Sequence, residues 1–247
     1  MRGIAEATRS DRLVFRLQII NLLRLLKQRR TYSQLSQITG LPATVLSRYI
    51  QGHVLPNFER ARELWRIINK KVNLRDEMVE CIGYDGGFYD NTRVLSHPMY
   101  RWVFSTWILD QVIGSKVDKV LTAAVDGIPL AATVSDVLNV PLVVAKKERE
   151  IGVKEFWTEE VVWPSGRCET LYVPKHLLGK KDWVIIVDDV IRTGTTQRAL
   201  CNLVQKARGK VVGIFALLKL GEAEMLADVE APVKAYIDFH KNAKRGR

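Results

Sequence analysis

The run VIIVDDVIRTGTT, residues 184–196, sets two aspartates after four apolar residues and follows them with a threonine- and glycine-rich turn. Asp188 and Asp189 offer carboxylate oxygens that can hold a metal or accept hydrogen bonds from the vicinal hydroxyls of a sugar. Metal-dependent nucleotide hydrolysis would need a G-x-x-x-x-G-K-[ST] loop elsewhere. The nearest approach, LLGKKD at 177–182, lacks both the upstream glycine and the hydroxyl. The second chemistry has its parts in one place. Backbone amides of Thr193, Gly194, Thr195 and Thr196 at the start of a helix form an anion cradle, and the three threonine hydroxyls add donors. Carboxylates for a diol and amides for a phosphate describe a 5-phosphoribosyl site. An acidic turn that caps a helix and binds nothing is the plain alternative.

Such a loop has to be carried by strands and helices. VDKVLTAAV (117–125), VPLVVAKK (140–147), WVIIVDD (183–189) and KVVGIFALLKL (210–220) are continuous apolar segments, and helical patterns separate them. Alternation of this kind predicts a parallel sheet covered on both faces, with ligands at the carboxyl ends of its strands. Those ends carry Asp126-Gly127, Lys146-Lys147 and Asp188-Asp189, which are expected to converge on one crevice. MYRWVFSTWILDQVIG (99–114) precedes them as a helix, and DEMVECIGYDGGFYD (76–90) reads as a junction.

The chain's charge is unevenly placed. Residues 1–75 hold fifteen Lys/Arg against four Asp/Glu, which accounts for the whole formal net charge of +11, while residues 76–247 hold twenty-three of each. A basic module attached to a neutral one suggests a polyanion partner. Leu13, Leu17, Ile20, Leu23 and Leu26 recur at helical spacing from Asp11 to Arg30. Thr31 or Ser33 can cap a short helix carrying Leu35 and Ile38 inward, and Gly40 supplies a turn. Pro42 suits the first turn of a second short helix. NFERARELWRIINK (57–70) forms another, with Phe58, Ala61, Leu64, Trp65 and Ile68 facing in. A tight pair of helices in a basic bundle is what a reader of the DNA major groove needs, although a helical hairpin that merely packs has the same outline.

Several classes are set aside by composition. No apolar stretch approaches the ~18 residues of a membrane span, and the arginine-interrupted start is not a signal peptide. Cys81, Cys168 and Cys201 have neither disulfide nor zinc spacing, and His53, His97, His176 and His240 form no ligand set, so no metal site is assigned. The expected setting is the cytoplasm, with no membrane partner. The tail HKNAKRGR is expected to be disordered.

The signature at 184–196 resembles that of type I phosphoribosyltransferases: four apolar residues, two acidic residues, then an apolar-x-Thr-Gly-x-Thr loop. The resemblance implies that Asp188 and Asp189 hold the ribose 2′- and 3′-hydroxyls and that Thr193, Gly194, Thr195 and Thr196 hold the 5′-phosphate, with Thr195 where the family often has glycine. AAVDGIPLA is similar to the family's diphosphate loop, which implies that Ala124, Val125, Asp126 and Gly127 meet the diphosphate, joined by Lys146 and Lys147. Residues 148–174 then occupy the place of the mobile loop that closes over substrate. The paired helices resemble the helix-turn-helix of phage-repressor-like regulators. Gly40 stands at the turn, Leu35, Leu41, Leu46 and Tyr49 at buried positions, and Ser36 at the small position. Ala43, Thr44, Ser47, Arg48 and Gln51 would then face DNA.

The fold expected is therefore α/β: a parallel-sheet type I phosphoribosyltransferase domain over 76–247, preceded by a small all-α helix-turn-helix domain over 1–75. The layout resembles purine-repressor-like members of the family and archaeal regulators of the same two-part build. It shares GIPLA, NVPLVV and the Ser165-Gly166 pair before a strand with them, but its N-terminus reads as all-helical, not winged. The resemblance implies a transcriptional regulator, expected to be a homodimer on a double-stranded operator, that senses phosphoribosyl diphosphate or a purine base or nucleotide. No catalytic residue is assigned and no cofactor is required, although Mg²⁺ can accompany the diphosphate. The alternative is an active purine or orotate phosphoribosyltransferase with an appended DNA-binding domain. Glu148, Glu150, Glu155, Glu159 and Glu160 argue against turnover, because an acidic loop should repel a diphosphate.

Overall fold

The structure, a computed structural model, describes residues 7–239 apart from 86–87, 164–165 and 167. His240, the tail expected to be disordered and Ser165 of the Ser-Gly pair lie outside the described residues. The chain divides into two compact units, residues 1–115 and 116–247.

The first unit opens with helix α1 (Arg9–Lys27), started by a reciprocal cap in which Thr8 and Asp11 each accept the other's amide. It buries Phe15, Ile19, Leu22 and Leu26 completely or nearly so. Leu13 and Leu17, expected on the inward stripe, are instead 43% and 42% exposed. At ~100° per residue they lie roughly half a turn around the helix from Phe15, on a side that is covered only further along, at Ile20 and Leu23. Helix α2 (Tyr32–Thr39) is capped by Thr31, not Ser33, again reciprocally with Gln34. It ends at Gly40, whose left-handed backbone (φ 74°) reverses the chain. Helix α3 (Ala43–Ile50) follows. Pro42 lies just outside it in extended conformation, where the helix-incompatible ψ of 143° is tolerated, and not in its first turn. Leu35 and Leu46 are fully buried between the two, and the Ser36 hydroxyl donates to the Leu41 carbonyl at 2.6 Å. Helix α4 (Phe58–Lys71), capped by Asn57, turns Ala61, Leu64, Trp65 and Ile68 inward.

The stretch read as a junction is structured. Helix α5 (Leu74–Cys81) runs into it, and β1 (Gly83–Asp85) pairs antiparallel with β2 (Phe88–Asp90). Helices α6 (Thr92–Ser96) and α7 (Pro98–Val112) complete the unit, with α7 packed on α1.

The second unit is a five-stranded parallel sheet in the order β4-β3-β7-β8-β9. Its strands are β3 (Lys119–Ala123), β4 (Leu142–Ala145), β7 (Trp183–Ile191), β8 (Lys210–Lys219) and β9 (Val233–Asp238). Four of these match the apolar runs of the sequence, and β9 was not expected. Helix α8 (Ile128–Leu138) links β3 to β4 in one direction across the sheet, and α9 (Thr195–Lys206) links β7 to β8 in the other. Right-handed crossovers running opposite ways place the two helices on opposite faces. One face buries Leu121, Val143, Val184, Ile186 and Ile214 against Leu200, Leu203 and Val204 of α9. The segment expected to be a mobile loop contains an antiparallel hairpin, β5 (Phe156–Val162) with β6 (Cys168–Pro174). It adds Val161, Leu171 and Val173 to the same core.

Candidate functional site

Strand order reverses between β3 and β7, and such a reversal opens a crevice at the carboxyl ends of the strands. Here the opening is visible in the register. β3 and β7 pair only as far as Leu121↔Ile186, while β7 continues five residues further to Ile191. Asp188 and Asp189 occupy that unpaired side of β7, facing the turn that leaves β3.

That turn holds Ala124, Val125, Asp126 and Gly127. Val125 and Asp126 are exposed, Ala124 is half-buried, and the Ala124–Val125 peptide is cis. Gly127 is buried against the aspartate: a Cβ there would fall on Thr122 Oγ1 and 2.7 Å from Asp188 Oδ1. The turn and the Asp-Asp pair, sixty residues apart in sequence, are thus in van der Waals contact, and only glycine permits it. Lys146 and Lys147 lie exposed at the end of the neighbouring strand β4. All three strand ends expected to meet are adjacent in the sheet.

Asp188 is buried and both of its oxygens are occupied. Oδ1 accepts the Asp189 amide at 3.0 Å and Oδ2 accepts Gln197 Nε2 at 2.5 Å. Burial, and then the neighbouring Asp189 carboxylate, push its carboxyl well above the ordinary carboxylate range. Asp189 is half-buried and stands nearer the opening. Gln197 and Thr122 were not singled out from sequence. Gln197 falls in the first turn of α9, immediately after the threonine loop, and its spacing alone gives no sign that its amide turns back to β7.

The threonine loop is held from outside as well as from within. Gly194 is left-handed (φ 87°) and forms the N-cap of α9, and a Cβ there would lie 2.7 Å from Leu226 Cγ. The Ala223 and Met225 amides donate to the Arg192 and Thr193 carbonyls at 3.2 and 3.0 Å. Thr193 and Thr195 hydroxyls are 2.8 Å apart, with Thr195 buried and Thr193 and Thr196 half-buried. The amides of the first turn of α9 point out of the helix, where the positive end of its dipole lies. An anion fits this end, and the segment 221–226 that braces it is invisible to local pattern.

The acidic loop reads differently once folded. Lys146 pairs with Glu150, Lys147 with Glu169 at 3.0 Å, Lys175 with Glu155 at 3.6 Å, and Lys206 with Glu159 at 2.5 Å. Three of the five glutamates counted as a repulsive run are therefore matched by cations, which weakens that argument against turnover. Lys206 Nζ also donates to the Thr158 carbonyl and Asn202 to Glu159, so the hairpin is tied to α9. Its other strand joins β4, through paired hydrogen bonds between Lys146 and Tyr172.

Within the first unit, Ala43, Thr44, Arg48 and Gln51 are exposed on α3 and its end, and Ser47 is half-buried. The Cys201 thiol is half-buried, and desolvation pushes it up to about 11. Cys81, Cys168 and Cys201 form no disulfide. Among the described residues, no three His, Cys, Asp or Glu side chains are grouped as metal ligands, and no helix is long and apolar enough to cross a membrane.

Comparison with known proteins bears on the second unit and the end of the first. Residues 104–242 match the family model described as phosphoribosyl transferase domain, beginning inside α7. Xanthine phosphoribosyltransferase from Alkaliphilus metalliredigens is 34% identical over 110 residues, which cover 44% of this chain and 54% of that protein. The purine biosynthesis transcriptional repressor PurR of Bacillus subtilis is 30% identical over 147 residues, covering 58% and 51%. The chain thus spans about half the length of these curated relatives. The crystal structure of adenine phosphoribosyltransferase from Thermoanaerobacter pseudethanolicus superposes with a TM-score of 0.60 at 23% identity, covering 66% of this chain and 99% of that one.

Proposed function

Because this chain belongs to the phosphoribosyl transferase domain family, we propose that it is a DNA-binding transcriptional regulator whose family domain senses phosphoribosyl diphosphate or a purine base or nucleotide. The observation that carries this reading is what precedes the family domain. Residues 1–75 hold the chain's entire excess charge, and the helical region over 9–81 contains two short helices, the first capped by Thr31, joined at a left-handed Gly40 with small polar and basic side chains exposed on the second. Residues 1–75 are the DNA-binding module on this reading, with Ala43, Thr44, Ser47, Arg48 and Gln51 toward base edges and phosphates. The similarity to a purine repressor supports the regulator reading.

At the sensing site, the vicinal hydroxyls of ribose bind at Asp189, with Asp188 behind it. The 5′-phosphate sits on the loop from Thr193 to Thr196, and the diphosphate meets Ala124 to Gly127, Lys146 and Lys147. A bound diphosphate competes with Glu150 and Glu169 for the two lysines, and Asp189 would hold a Mg²⁺ that accompanied it, which would neutralise diphosphate charge. Ligand acts by population shift, favouring one arrangement of a homodimer and so the spacing of its paired recognition helices.

The second reading, an active purine phosphoribosyltransferase, is favoured by the similarity to xanthine phosphoribosyltransferase and by the pairing of three of the five glutamates at 148–160. Titrating DNA binding with and without phosphoribosyl diphosphate and a panel of nucleobases and nucleotides tests the sensor. Robust consumption of a purine base with phosphoribosyl diphosphate and Mg²⁺, without any ligand effect on DNA affinity, would replace it with the enzyme.

A further inference from the structure

Over residues 116–239 the second unit carries seventeen Lys/Arg and seventeen Asp/Glu, yet its charges are not evenly spread. Asp126, Asp188 and Asp189 lie at the carboxyl ends of the strands. At the opposite, amino-terminal edge of β7 and β8 stand Lys180, Lys181, Arg208 and Lys210, all exposed. The two acids nearby do not neutralise them. Asp182 turns inward to the Gly179 amide (2.8 Å) and Lys119 (3.0 Å), and Asp118 is taken by Lys116 (3.0 Å) and the Trp183 amide (2.9 Å). Lys180, Lys181, Arg208 and Lys210 make no ion pair among the described residues. Lys146, Lys147, Lys175 and Lys206, by contrast, are each paired with a glutamate, while Arg149, Lys154 and Arg192 are exposed without an ion pair among the described residues but do not gather on one edge.

These four cations stand on a rigid base. The Lys181 amide donates to the Arg208 carbonyl at 3.1 Å, and the Lys210 amide to the Asp182 carbonyl at 2.8 Å, so the turns before β7 and β8 are fastened side by side. Both Lys181 (φ 70°) and Arg208 (φ 60°) hold the left-handed backbone, which glycine would adopt at less cost. Local conformation does not account for long basic side chains there. An arginine at the end of α9 answers the helix dipole, but two lysines in a turn have no such reason. Trp183 lies between Lys116 and Lys210, whose ammonium groups are 5.9 and 4.8 Å from its ring. With its ring so occupied, it offers no platform for an unstacked base.

We propose that this edge is a second polyanion-binding surface, which contacts the phosphate backbone of double-stranded nucleic acid without reading its sequence. Fixed cations without an aromatic platform suit backbone contact. The surface goes beyond the recognition-helix reading and does not depend on it.

The test uses the full chain and a duplex of arbitrary sequence, with binding followed by anisotropy over a salt series. The variant Lys180→Gln/Lys181→Gly/Arg208→Gly/Lys210→Gln removes four charges while placing glycine where the backbone is left-handed, which preserves the fold. Wild type, this variant and Arg48→Ala are compared. The expected result is weaker binding by the fourfold variant and a log–log salt dependence shallower by about 0.9 for each phosphate lost. An unchanged affinity and slope overturns the proposal. If Arg48→Ala nevertheless alters operator preference, the recognition-helix reading stands without it. If wild type binds no duplex, both fall. Loss of binding only to phosphatidylserine vesicles, with duplex binding intact, overturns it in favour of a lipid surface.

Discussion

Gly127 shows how tightly single residues define the crevice. Its hydrogen occupies the space between Thr122 and Asp188, so Gly127→Ala must push β3's turn away from β7. The expected cost is about 1–3 kcal/mol of stability, as for overpacking elsewhere, read as a lower melting temperature together with loss of phosphoribosyl diphosphate binding by calorimetry. Asp188 makes a different prediction. Its carboxyl titrates above the ordinary value of 3.8 in the folded chain, because burial and Asp189 disfavour the charge. The folded state therefore binds this proton more tightly than the unfolded one. The stabilisation is complete below about pH 3.8 and is lost as pH rises through the higher folded value. Replacing it in Asp188→Asn should flatten the rise of melting temperature on acidification in that window. A pH profile identical to wild type would show that the aspartate ionises freely.

Elements bring their own tests. Helix α2 starts on a reciprocal cap, so Thr31→Ala should cost about 0.5–2 kcal/mol in thermal unfolding, with Thr31→Ser nearly neutral. Helix α3 presents Arg48 to solvent, and Arg48→Ala should weaken operator binding by about 1–3 kcal/mol if it reaches a base edge, with relaxed preference at one position. The β5–β6 hairpin is attached to α9 through Lys206, Glu159 and Asn202. These groups are partly exposed, so Lys206→Met should scarcely change global stability. It should, however, speed amide exchange in β5 and β6, and equal exchange rates would mean that the apolar contacts of Val161, Leu171 and Val173 hold the hairpin alone.

For the whole molecule, the proposed regulator role requires that the crevice be coupled to helices α2 and α3. Asp188→Asn with Asp189→Asn should abolish the effect of ligand on operator affinity while leaving ligand-free affinity near wild type. A normal ligand response in that variant would place sensing elsewhere. Much of this molecule is written locally. Apolar runs of strand length, the helical period of 57–70, the Thr31 cap and Gly40 turn, and the full 184–196 signature each depend on neighbours a few residues away, and each was legible. What was missed depends on partners distant in sequence. Leu13 and Leu17 form as good a stripe as Phe15 and Ile19, and only packing against other helices chose between them. β9 carries Lys234 and Asp238 among its apolar residues and is only half-buried over its first part, so its pairing with β8 gives it its place. The glutamates of 148–160 looked like one charge until Lys146, Lys175 and Lys206 met three of them. By itself, then, the sequence determined the parallel α/β class, the helical basic region and the place of the loop between a strand and a helix, because periodicity, capping and charge are properties of adjacent residues. Only the tertiary structure decided that Gly127 touches Asp188, that Gln197 holds it, and that four unmatched cations gather at the far edge, because those depend on which strands lie side by side.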